Sequence, residues 1–209
     1  MSRFLKALVV VLAPSALSAS AASAAAFTSS AATTNVVGGQ VTKHIFRLTN
    51  AEVRCGSIIL TGHMTNSTQS ELTISPEYTD CHVVFNGITV NLKVTGFGHY
   101  EGEAKSYAYV FKADGKTDLV CDAGAEVTID AATCIVHIPP QNNLGKVTYE
   151  DLGNNLKASI NLSGITTNHT DGFGCPFTSG GHSATGTLTG TSEVSGKDGG
   201  GAAANLGIE

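Results

Sequence analysis

From Val41 to Val194 the apolar residues return at every second position in short runs, and no convincing stripe of helical spacing interrupts them. A period of two sends alternate side chains to opposite sides of an extended backbone, so each run reads as a strand with one buried and one wet face. Val90, Leu92 and Val94 share one such face, as do Leu156, Ala158, Ile160 and Leu162, with Lys93, Lys157 and Asn161 opposite. The predicted strands are Val41–Thr49, Ser57–Met64, Leu72–Ser75, His82–Phe85, Ile88–Thr95, Tyr107–Phe111, Thr117–Cys121, Glu126–Ile129, Cys134–Ile138, Lys146–Tyr149, Leu156–Thr166 and Ala184–Val194. Asn86-Gly87 joins two of them as a hairpin turn, because both residues accept positive φ. About ten to twelve short strands at this spacing predict an all-β fold, an antiparallel sandwich or barrel.

Residues 1–26 read as a secretory signal peptide. Arg3 and Lys6 give the positive start, Ala7–Ala13 the apolar run, and Ser15–Ala26 the small residues before a cleavage ahead of Phe27. The apolar run is far below the roughly 20 residues that span a bilayer, so the mature chain is predicted to be secreted, with no membrane span. It forms one β domain over 27–194, with a loose leader at 27–35 and a flexible Gly- and Ala-rich tail at 195–209. Without Arg3 and Lys6 the formal charge moves from −5 to −7. An acidic surface with no basic cluster disfavours nucleic acid and anionic membrane as partners.

Five cysteines remain, and in an oxidising compartment they are expected to pair with one left over. Cys55 and Cys81 lie at mirror positions about a turn centred near Thr68, where an antiparallel hairpin brings them face to face. The second expected bridge is Cys121–Cys134, leaving Cys175 unpaired. It conflicts with a tight meander through Glu126–Ile129, which would hold the two cysteines about 15 Å apart at ~3.3 Å per residue. A disulfide needs Cα atoms within about 7 Å, so either the meander or the bridge must give way. No C-x-x-C or H-x-x-x-H spacing supports a metal site, and no cofactor is expected.

Four segments together resemble a group of exported actinobacterial proteins of unknown function: SPEYTDC at 75–81, DLVCDAGAEVTI at 118–129, CIVHIPPQNNL at 134–144 and DGFGCPF at 171–177. The likeness runs over about residues 40–192 and carries no chemistry. Members of that group hold a sixth cysteine in an Asn-Gly-Cys-x-Tyr stretch, where this chain has Thr95–Tyr100 with Phe97 and Gly98 in its place. The resemblance implies that the missing cysteine is the partner of Cys175, which accounts for the odd count.

Catalytic motifs fail on inspection. Val36-Val37-Gly38-Gly39 is similar to the start of a mature trypsin-like protease, but the histidine and serine motifs of that family are missing. Gly181-His182-Ser183 begins an esterase-like elbow whose closing glycine, Gly186, comes one position late. The seven histidines are scattered. His99, Glu101 and Glu103 alternate on one prospective face and form the best imidazole–carboxylate group, suited to weak cation or ligand binding. Tyr107 and Tyr109, in line with Phe111, make either a stacking platform for a ligand or part of the core, and core is the commoner use. The expectation is a non-enzymatic module that binds an extracellular ligand or envelope component, or is itself structural. The alternatives are a secreted hydrolase assembled from distant residues and a ligand-carrying barrel.

Overall fold

The computed structural model describes residues 24–48, 51–85, 88–91, 93–95, 107–123, 125–130, 135–170 and 183–209. The chain opens with β1 (Phe27–Ser29), β2 (Thr34–Leu48), β3 (Ala51–Arg54), β4 (Ser57–Met64), β5 (Thr68–Gln69), β6 (Glu71–Thr79) and β7 (His82–Phe85). There follow β8 (Ile88–Asn91), β9 (Lys93–Thr95), β10 (Tyr107–Lys112), β11 (Thr117–Cys121), β12 (Val127–Asp130) and β13 (Ile135–Ile138). Last come β14 (Gln141–Leu144), β15 (Lys146–Asp151), β16 (Asn155–Thr170), β17 (Ser183–Lys197), β18 (Ala203–Ala204) and β19 (Leu206–Ile208). The fold is all-β and antiparallel, as the alternation predicts.

Three long strands form the spine. β16 pairs with β17 from Asn155↔Ser195 to Asn168↔Ser183, and β2 lies along the other side of β17. Shorter strands branch from this spine. β4, β6, β10, β11 and β14 continue from the first half of β2, β3, β7 and β8 from its second half, and β13, β12 and β9 from β16. Right-handed strand twist accumulates across so many neighbours, and the sheet curls into a half-barrel around one apolar interior. The segment 141–151 links its flanks: β14 pairs with β11 and, after a turn at Gly145, β15 pairs with β16. Gly145 has φ +40°, and a side chain there would strike the backbone of Leu162, so the turn requires glycine.

The mirror centre at Thr68 is the register of one long, interrupted hairpin. β4 and β6 pair from Ser57↔Thr79 to His63↔Thr73, and β3 and β7 continue the same register from Arg54↔His82 to Glu52↔Val84. Cys55 and Cys81 are bridged at the interruption, where the Gly56 N–H donates to the carbonyls of Thr79 and Asp80 at 3.1 Å. β7 and β8 form the expected hairpin, with Phe85 paired to Ile88. The turn residues Asn86 and Gly87 lie outside the described residues.

Three expectations need correction. The leader at 27–35 is not loose: β1 pairs with β19 and β5 in a three-stranded sheet, and the Phe27 ring packs edge-on against Tyr149 at 5.1 Å between centroids. The tail at 195–209 is not flexible either, since β17 runs to Lys197, β18 pairs back on it, and Leu206 is buried. Both ends hold apolar side chains that the interior accepts, which outweighs their small, Gly-rich composition. The Cys121–Cys134 bridge is the third, because Cys121 carries a free thiol. Between the two positions in sequence, β12 pairs with β13 and β9, not with the strand that ends in Cys121. Cys134 and Cys175 lie outside the described residues.

Candidate functional site

Alternation turns Gly186, Leu188, Gly190, Ser192 and Val194 of β17 toward the interior. Two of these are glycines for a steric reason. A side chain at Gly186 would meet the Phe46 ring and one at Gly190 the His44 ring, so the missing Cβ atoms let both rings lie against β17. The opposite stretch of β2 carries extra residues: the register shifts between Thr189 and Thr191 and again between Thr191 and Ser192. Such bulges re-aim side chains beside functional positions, and here His44 returns to the inward face.

His44 and Ser192 are both buried, at 3% and 2% exposure. His44 Nε2 lies 2.9 Å from Ser192 Oγ, and Nδ1 lies 3.4 Å from the Tyr78 hydroxyl. With the ring proton on Nδ1, Nε2 accepts from Ser192 and Nδ1–H points at Tyr78, the order of a hydroxyl–imidazole–phenol relay. Tyr78 and Tyr109 line the same two cavities, and the Tyr107 and Tyr109 rings meet edge to face at 6.3 Å. Burial pulls the His44 pKa down to about 4 and pushes that of Tyr109 up to about 12. Burial also holds the Tyr78 and Tyr107 hydroxyls well above the ordinary phenol value. The cluster is therefore neutral at physiological pH.

Two cavities flank it, of ≈ 50 Å³ and ≈ 30 Å³, both lined by His44, Tyr78, Tyr109 and Leu188. Their lining is mostly apolar side chains. Small-molecule sites usually occupy about 300–1,000 Å³. The relay has a nucleophile and a base in contact, but the base is weak and the two cavities beside it are smaller than a substrate needs.

On the outer side, two clefts meet at the ends of β2, β4 and β6. One of ≈ 220 Å³ is walled by Thr33, Asn35 and His63, and one of ≈ 290 Å³ by His63, Asn66, Gln69, Glu71 and Thr73. His63 and Thr65 belong to both. Gln69 braces the turn beneath, accepting from the Thr65 N–H at 3.2 Å and donating to the Glu71 carbonyl at 2.6 Å.

His99, Glu101 and Glu103 lie outside the described residues. Tyr107 and Tyr109 are half-buried and line the interior instead of forming an outer platform. The Cys121 thiol is pushed up by burial and by Asp122 and Glu126, which disfavours the reactive thiolate. Among the described residues no group of three His, Cys, Asp or Glu is placed to hold a metal, and no helix is long and apolar enough to cross a membrane.

No family model, curated protein or solved structure matches the chain. The His44–Ser192 pair escaped sequence reasoning because 148 residues separate its members. Its one local signal is the alternating Gly186-x-Leu188-x-Gly190-x-Ser192 face, which marks a strand that something bulky must approach.

Proposed function

We propose that this chain is an exported, non-enzymatic β module that binds a component of the extracellular space or cell envelope through its outer surface. The observation that carries the reading is the burial of the His44–Ser192 relay. Ser192 is 2% exposed, and the imidazole of His44, at a pKa of about 4, is a poor proton acceptor for hydroxyl activation. Export is supported by the pattern of residues 1–26 and by the Cys55–Cys81 bridge, which suits an oxidising compartment. The small interior cavities count against a ligand-carrying barrel.

The hydrolase reading keeps one observation in its favour, the 2.9 Å contact between Ser192 and His44. A fluorophosphonate probe, which labels activated serines, separates the two. The expected result is no labelling of the folded protein. Labelling that disappears in Ser192→Ala would overturn the non-enzymatic reading.

A further inference from the structure

The outer clefts give that reading a ligand class. We propose that the groove spanning Asn35, His63 and Thr73 binds a neutral saccharide chain, an inference that rests on the protein being a binding module. Lys197 stands opposite Asn35, Asn35 opposite His63, and His63 opposite Thr73, so four outward polar side chains form a row across β17, β2, β4 and β6. Neighbouring strands are spaced by roughly 4.8 Å, close to the length of one sugar ring in an extended chain. The row therefore offers a hydrogen-bonding group to each successive ring.

Its chemistry selects among ligands. The side chains of Asn35, His63 and Thr73 are exposed and make no hydrogen bond within the chain among the described residues. Their donors and acceptors are met by water that a polyol can replace. The wall around them is amide, hydroxyl and imidazole, with one carboxylate, Glu71, able to accept from two adjacent sugar hydroxyls. The charges beside the row, Lys197 at one end and Glu71 opposite Lys112 at the other, are of both signs and form no cation cluster to hold an anion. The wall is also too polar for a lipid, and His63 with Glu71 gives too few ligands for a metal. His63 lines both clefts, so a sugar chain lying over it spans both.

Amide NMR of the folded protein, titrated with cellobiose, N,N′-diacetylchitobiose and maltose, tests the proposal. Inorganic phosphate and octanoate are the comparison probes. At least one disaccharide is expected to give saturable shifts at Asn35, His63, Thr65 and Thr73. His63→Ala and Glu71→Gln should each weaken it about tenfold, as for a lost hydrogen bond, with melting temperature unchanged. No saturable shift with any disaccharide, shifts with phosphate at the same residues, or affinity untouched by both substitutions would overturn the groove. If the sugars fail while the protein still co-sediments with isolated cell walls, the groove is wrong and the binding module stands. If a sugar binds and free monosaccharide accumulates, the groove stands and the non-enzymatic reading falls.

Discussion

His44 is surrounded by groups that give it no reason to ionise. Tyr78 on β6, Tyr109 on β10 and Ser192 on β17 face the ring, and burial keeps both phenols protonated across the acidic and neutral range. Among the described residues no carboxylate lines its pocket, and burial brings the folded pKa to about 4 against ~6.5 in an unfolded chain. Between those values the unfolded state binds the proton and the folded state does not. Stability from this residue is thus complete above about pH 6.5 and falls as the pH drops toward 4, by about 3 kcal/mol in total. Urea midpoints measured at pH 7, 5.5 and 4.5 should drop more steeply for the native protein than for His44→Gln, which cannot titrate. Parallel slopes would mean that the ring is solvated. Glu52, whose carboxyl is held low by Arg47 and Arg54, is exposed enough that solvent screens most of its effect, and it acts equally in both proteins.

At the scale of elements, the hairpin from Ala51 to Phe85 shows what a sequence discloses and what it does not. Ser57–Met64 and Thr117–Cys121 were legible to the residue because β-branched alternation fills them and turn residues bound them. Ala51–Arg54 and Gln141–Leu144 were not, since AEVR and QNNL carry almost no periodic apolar signal. They are strands because neighbours supply the partners: β3 lies between β2 and β7, and β14 lies against β11. The bridge between Cys55 and Cys81 sits where β3 gives way to β4, and it closes a sequence separation of 26. Chain entropy assigns such a loop about 3–4 kcal/mol. The Cys55→Ala/Cys81→Ala protein should unfold at correspondingly lower denaturant, and reductant should shift the native protein by the same amount while leaving the variant unmoved. A reductant effect that persists in the variant would place the stabilising bridge elsewhere.

Across the whole molecule, the fold class followed from periodicity alone, but the way the sheet curls and the order of its strands did not. That order depends on long-range pairs such as Ser192↔Gln40, which no local pattern records. The same blindness applies to the ends. Composition made 27–35 and 195–209 look expendable, yet Phe27, Ala204 and Leu206 are among the buried residues. Removing residues 203–209 should therefore do more than trim a tail. Hydrogen exchange is expected to show Phe27–Ser29 losing protection in the shortened protein, because β1 loses one of its two neighbours. Protection unchanged at β1 would mean that β5 and the Tyr149 contact hold it alone.

The backbone at Ala26 and Glu209 exchanges two hydrogen bonds, of 2.8 and 2.9 Å. In a version of the chain that begins at Ala26, a short peptide joining those positions would make a ring without bending a strand, and the ring could then be reopened at the exposed glycines 199–201.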